Sequence, residues 1–105
     1  MKYRCDFEAT EWTVPMVGVR HKVFPFDGRR LRLVEYSSVF EPHWCERGHA
    51  GQILEGQFQI EFNDSTEIFN AGDAIAIPDG PEHRHRATVL SAVVRALFVE
   101  EADSR

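Results

Sequence analysis

Histidine is the residue type whose positions in this chain could carry chemistry, because four of the five histidines fall in two short clusters. His43 and His49 form the first cluster, and His83 and His85 form the second. Imidazole is the commonest metal ligand in proteins near neutral pH. The clustering therefore indicates a metal site. The plainer interpretation is a set of surface histidines beside a small buried cysteine, and the isolated His21 is interpreted as an ordinary strand residue.

The spacing within each cluster suits residues that share one face of a β-strand. His43 and Cys45 are two residues apart, and so are His83 and His85. Alternate residues of a strand point to the same side, so an imidazole and a thiol can enter one cavity. The glycine before His49 permits a turn that returns this histidine to the same pocket.

Strands must position these residues, because the rest of the chain has an all-β pattern. Short apolar or alternating runs are broken by turn residues roughly every eight to twelve positions, which is typical of a small barrel or sandwich. Residues Ala102–Arg105 are expected to fray. The predicted strands are Lys2–Phe7, Trp12–Phe24 with bends at Pro15 and Gly18, Leu31–Tyr36, Gln57–Phe62, Thr66–Phe69, Ala74–Ile77, His83–Val89 and Ala92–Val99.

Length and composition exclude several classes of protein. The 105 residues suit one domain, and 43% hydrophobic with 28% charged residues argues against a disordered chain. A net charge of -5 argues against non-specific nucleic-acid binding, and no apolar run approaches the ~20 residues of a membrane span. The charged first residues do not resemble a signal peptide, and Cys5 and Cys45 form no CxxC pair. We therefore expect a reduced, cytoplasmic protein without nucleic-acid or membrane partners.

The histidine clusters resemble the two sequence motifs of the cupin superfamily. In the first motif, over about residues 43–56, His43 and Cys45 stand at the positions of two histidines. His49 takes the position of a glutamate, and Gly56 closes the motif. The sequence His-Trp-Cys-x-x-Gly-His is also similar to a subgroup of small single-domain bacterial cupins whose function is uncharacterised.

The second motif covers about residues 72–87. Gly72, Pro78, Gly80 and His83 match its spacing position by position. The resemblance implies one domain over residues 1–105, an all-β cupin-type β-barrel, which is a double-stranded β-helix or jelly roll. It also implies a metal shell of His43, Cys45, His49 and His83.

The altered shell changes which ion is expected. Three imidazoles and a thiolate disfavour Mg²⁺ or Ca²⁺ and suit a divalent transition metal, namely Zn, Fe, Ni or Cu. Four protein ligands would close a tetrahedral zinc site, whereas a six-coordinate iron or nickel would keep two open positions. Cys45 could instead be an unligated thiol that lines the pocket, and His85 a substitute ligand, a supporting group or an acid–base residue. Gln52 and Trp44 are further candidates for the pocket wall.

Three functions are compatible with these residues. The first is a metal-dependent enzyme, with oxygenase, isomerase or lyase chemistry on a small organic molecule in the barrel pocket. The second is a non-catalytic module that binds or senses a small molecule or metal, and the third is a degenerate site that is merely structural. No catalytic residue is assigned. The β-rich N-terminal stretch also predicts a homodimer, formed by pairing of exposed strand edges.

Overall fold

The computed structural model describes residues 3–102, which form nine strands and one short 3-10 turn over Pro81–His83. No α-helix occurs in this part of the chain, and so none that could cross a membrane. The strands are β1 (Thr13–Met16), β2 (Val19–Phe26), β3 (Arg29–Ser37), β4 (His49–Glu55), β5 (Gln57–Glu61), β6 (Thr66–Asn70), β7 (Ala74–Ile77), β8 (Arg86–Val89) and β9 (Val93–Glu101).

The strands pair antiparallel in two sheets, which confirms the predicted all-β fold class. The larger sheet has the order β1-β2-β3-β9-β4-β7, and the smaller sheet has the order β6-β5-β8. The two sheets remain separate hydrogen-bonded units and do not close into one continuous barrel among the described residues. The arrangement leaves room for a cavity between the sheets.

Buried and less buried side chains alternate along β9, and the buried ones form the larger sheet's side of the core. Val94, Ala96 and Phe98 are buried, while the residues between them are less so. Side chains two apart on a strand share a face, so this phase of β9 points inward. Phe58 and Ile60 of β5 supply the opposing apolar surface from the smaller sheet. Burial of such side chains contributes roughly 1.5–3 kcal/mol each and is the main force that joins the sheets.

The N-terminal strands differ from the prediction. The expected single strand Trp12–Phe24 is a hairpin of β1 and β2, because Gly18 reverses the chain at a φ of 81°. A side chain at Gly18 would also meet the backbone of Phe40. The expected irregularity at Pro15 is present as a register shift within β1. Tyr3–Phe7 contains no strand, which contradicts the predicted Lys2–Phe7 strand over its described part.

The start of the predicted His83–Val89 strand is also corrected. Pro81 begins a 3-10 turn that ends at His83, and regular pairing of β8 begins at Arg86. Proline has its φ fixed and favours the first position of such a turn. Residues 103–105 of the predicted fraying tail lie outside the described residues.

We predict that Gly51→Ala destabilises the protein by overpacking the junction of β4 and β9. A Cβ at this position would overlap the Leu97 carbonyl oxygen, and neither strand can yield without breaking its pairing. The expected loss is about 1–3 kcal/mol or more in the free energy of unfolding, measured by urea denaturation.

The matched control is Gly28→Ala. Gly28 has a φ of 73° but open space around it, so this change costs only the strain of a left-handed residue, about 1–2 kcal/mol. A smaller effect for Gly51→Ala than for Gly28→Ala would contradict the predicted overlap.

Candidate functional site

A cavity of about 190 Å³ lies between the two sheets. Part of its wall is apolar and is formed by Phe40, Phe58, Ile60 and Phe98 with other aliphatic and aromatic side chains. The rest of the cavity wall is polar and includes four residues of the two clusters predicted from the sequence. The polar residues are Arg30, Arg32, His43, Cys45, Arg47, His49, His85 and Glu100, and Tyr36 also lines the cavity.

A two-residue bridge carries Cys45 and His85 to the cavity together. The backbone N–H of each residue donates to the carbonyl oxygen of the other, and both distances are 2.9 Å. Directly opposed residues of an antiparallel pair place their side chains on the same face. The thiol and the imidazole therefore enter the cavity side by side, although 40 residues of sequence separate them.

His49 reaches the cavity from the first residue of β4. Ala50 pairs with Val99, so the preceding residue, His49, lies beside Glu100. The imidazole stacks on the Phe98 ring at a centroid distance of 4.3 Å and an interplanar angle of 10°. The preceding Gly48 allows the close approach of the chain to the end of β7, where any Cβ would overlap the Ile77 carbonyl oxygen.

Glu100 is the buried charge around which the polar wall is arranged. Its side chain is 1% exposed and accepts hydrogen bonds from Arg30 Nε at 2.8 Å and Arg32 Nη1 at 3.0 Å. His49 Nδ1 lies 3.2 Å from its Oε2 atom. Burial alone would raise the pKa of Glu100, but the hydrogen bond to His49 and the electrostatic attraction of Arg32, His49 and Arg30 outweigh it and lower that pKa to about 2. Glu100 is therefore a carboxylate throughout the physiological pH range.

Three cavity histidines have one ring nitrogen engaged. His49 Nδ1 contacts the Glu100 carboxylate, His85 Nδ1 lies 3.1 Å from the His83 carbonyl oxygen, and His43 Nδ1 lies 3.4 Å from the Glu41 carbonyl oxygen. Since these oxygens only accept, each Nδ1 carries a hydrogen, and Nε2 is the ring nitrogen that remains to bind an ion when the ring is neutral. This is the arrangement in which histidines usually bind metal ions.

The protonation of His85 follows from its surroundings. Burial is the largest influence on the pKa of His85 and lowers it, while the hydrogen bond to the His83 carbonyl raises it. The neighbouring His49 and His43 lower the pKa of His85 further. His85 is therefore neutral at pH 7, as a metal ligand or a general base must be.

The structure does not bring the four predicted metal ligands together. His43, Cys45 and His49 line the cavity, but His83 is 42% exposed and lies in a separate surface depression beside Phe62. The 3-10 turn interrupts the strand alternation, so His83 and His85 do not share a face. His85, considered from the sequence as a substitute, occupies the cavity instead.

Two other predicted pocket residues lie outside the cavity. Trp44 is adjacent to Cys45, so its side chain points to the opposite side of the chain. The Cζ atoms of Arg84 and Arg86 lie 4.4 and 4.8 Å from the centroid of its ring. Gln52 is exposed and donates to the Gly72 carbonyl oxygen at 3.1 Å. Neither residue lines the cavity.

The fit of this donor set to a metal ion is partial. The free Nε2 atoms and the thiol are donors that suit a transition metal. Within residues 3–102, however, no three His, Cys, Asp or Glu side chains are placed closely enough to hold an ion as they stand. The nearest imidazoles are those of His49 and His85, whose ring centroids are 5.2 Å apart.

Sequence reasoning missed the contribution of Glu100. The inward phase of β9 runs Val94, Ala96, Phe98, Glu100, so extending the apolar alternation by one step would have placed this carboxylate inside. Arg30 lies directly across from Glu100 on β3. Arg30 and Arg32 are two residues apart on β3, and both side chains line the cavity.

The fold matches structures of cupins. It superposes on KdgF from Halomonas sp. with a TM-score of 0.70 and 22% identity, covering 92% of this chain and 94% of that one. An RmlC-like cupin from Shewanella frigidimarina gives a TM-score of 0.72 and 16% identity, with coverages of 98% and 95%. A cupin-superfamily sugar phosphate isomerase from Silicibacter pomeroyi gives a TM-score of 0.74 and 16% identity, with coverages of 96% and 76%.

No protein-family model and no curated protein sequence matches the chain. The structural matches alone, at these identities, establish the cupin fold.

We predict that the titration of Glu100 makes the free energy of unfolding depend on pH between about 4.5 and about 2. Because its pKa falls from 4.5 to about 2 on folding, ionised Glu100 stabilises the fold above about pH 4.5. That contribution is lost as the pH falls toward 2, and it corresponds to roughly 3–4 kcal/mol at about 1.4 kcal/mol per pKa unit. Urea denaturation between pH 7 and 2 measures it.

Glu100→Gln should be less stable at pH 7 and should lose less stability on acidification. The exposed neighbour Glu101 is the control position, since Glu101→Gln leaves the buried contacts in place. Equal acid dependence in the wild type and Glu100→Gln would contradict the assigned role.

Proposed function

We propose that the cavity between the sheets binds a transition metal ion and, beside it, a small organic molecule. The ion would be held by the Nε2 atoms of His43, His49 and His85, with the Cys45 thiolate as a further donor. The observation that carries this proposal is that the three imidazoles line one cavity, each with Nδ1 at an oxygen acceptor and Nε2 as the nitrogen that remains for an ion.

The donors must draw closer for an ion to bind, because they are too widely spaced as they stand. His43 is the residue best able to move. It is exposed, and its Nδ1 contact at 3.4 Å is the longest of the three. His49 is held by Glu100 and stacked on Phe98, and His85 is held by its bridge to Cys45. We therefore expect His43 to close onto a preformed His49–His85 pair.

A bound ion would supply Lewis acidity to a ligand in the cavity. The chain's own residues define what else happens there. The apolar wall of Phe40, Phe58, Ile60 and Phe98 excludes water from one side of the ligand. A fold match to a sugar phosphate isomerase supports chemistry on a small organic molecule, and we propose isomerase, lyase or oxygenase chemistry of this general kind.

A second candidate is a binding or sensing module that takes up a small molecule without an ion. It is favoured by the spacing of the donors, because no three of them lie close enough together to hold an ion within the described residues. In this case the imidazoles of the cavity would act as hydrogen-bonding groups toward the ligand.

We predict that His85→Ala weakens uptake of Zn²⁺ or Ni²⁺ by more than roughly tenfold, because even the loss of an outer-shell partner costs about 10- to 100-fold. Elemental analysis after reconstitution, together with competition against a colorimetric chelator, measures stoichiometry and affinity. We expect about one ion per chain in the wild type.

His83→Ala is the matched control, since His83 is the same residue type two positions away but lies outside the cavity. We expect it to bind metal like the wild type. Equal losses in the two variants would contradict the assignment of His85. No uptake by the wild type would contradict the metal site and favour the ion-free module.

We also propose that two copies of the chain pair through β1. This strand is the edge of the larger sheet, its four residues are exposed, and the adjoining Val17 is 79% exposed. A strand edge with unused hydrogen-bonding groups beside exposed valines favours pairing with another strand.

Light scattering after size-exclusion chromatography should give twice the 12.1 kDa chain mass. Val14→Lys, which places a charge on the exposed edge strand, should shift the protein to the monomer. A 12.1 kDa species for the wild type at high concentration would contradict the dimer.

A further inference from the structure

Arg30 offers two hydrogen-bond donors that no residue of the described chain uses. Its Nε donates to Glu100 at 2.8 Å, while Nη1 and Nη2 donate to no acceptor within residues 3–102. The side chain lines the cavity and is 22% exposed, so a molecule in the cavity can reach this part of the guanidinium. Two N–H groups on one planar guanidinium match the two oxygens of a carboxylate.

The charges beside Arg30 also favour an anion. Arg30 and Arg32 share a single carboxylate, Glu100, so this corner of the cavity carries one positive charge more than its own residues neutralise. The second hydrogen bond of Arg32 adds no negative charge, because its Nε donates to the imidazole Nδ1 of His21 at 2.9 Å. Two partly buried guanidinium groups that share one carboxylate are incompletely neutralised, and a bound anion would supply the second negative charge.

The remaining wall indicates that the anion is organic. Phe40, Phe58, Ile60 and Phe98 face the same cavity and would contact carbon atoms, which an inorganic anion lacks. The volume of about 190 Å³ equals that of about six water molecules, so the ligand has only about that many non-hydrogen atoms.

We propose that the cavity is specific for small organic carboxylates, whose carboxylate pairs with Nη1 and Nη2 of Arg30 while the carbon skeleton lies on the apolar wall. This inference deepens the proposed function by naming the class of molecule bound, and it rests on that function only for the identity of the site. Arg30 is a specificity-determining residue in this view, separate from the histidines that would hold an ion.

Butyrate and butyramide are matched probes, because they have nearly the same size and shape but differ in charge. Titrations followed by NMR, on protein without added metal, should give at least about tenfold tighter binding of butyrate by the wild type. Arg30→Gln should remove this preference, and Arg30→Lys should retain part of it, because lysine keeps the charge but lacks the paired donors. Thermal unfolding of each variant verifies that it is folded.

Arg29→Gln is the control, since Arg29 is an exposed neighbour outside the cavity and should leave the preference unchanged. Equal affinity of the wild type for the two probes, or binding of neither at millimolar concentration, would overturn the proposal. Metal uptake measured on the same samples separates the two hypotheses. Uptake without a carboxylate preference leaves only the metal site, and a carboxylate preference without uptake leaves only the anion site.

Discussion

The ionised Glu100 carboxylate is the interaction on which the site depends. It is almost completely buried at the end of an otherwise apolar strand face, and its partners come from β3 and β4, the two neighbours of its own strand. A charge this deeply buried is tolerated only while its partners stay in place, and removal of one partner costs about 3–5 kcal/mol. The carboxylate thus couples the register of three adjacent strands to the chemistry of the cavity wall.

That coupling determines which atoms the cavity presents. Glu100 holds the hydrogen of His49 on Nδ1, and the His83 carbonyl oxygen does the same for His85. Nε2 is therefore the ring nitrogen that each residue presents to a ligand or an ion. Although His83 lies outside the cavity, its backbone therefore contributes to the state of the imidazole that replaces it there.

The sequence predicted the strands better than the directions of individual side chains. The run Ala74–Ile77 is a strand as predicted, because alternation and turn residues act locally. Motif spacing counts residues and so selected His83, but the 3-10 turn changes the direction in which that side chain points. Arg30 and Glu100 are opposed across two strands of distant sequence, a pairing that charge patterning within one strand does not reveal.

The two sides of the cavity differ in how firmly they are held, and this difference bears on how the site would recognise a ligand. Arg30, His49 and Glu100 lie on paired strands of the larger sheet and hold one another by hydrogen bonds. The opposite side carries His43 on a segment that, between β3 and β4, has only the Cys45–His85 bridge as strand pairing. A preorganised wall fixes orientation with little loss of entropy, whereas a wall with fewer pairing contacts can adapt to the ligand. Under the proposed function, the larger sheet would therefore discriminate between ligands, and the segment that bears His43 would close on them.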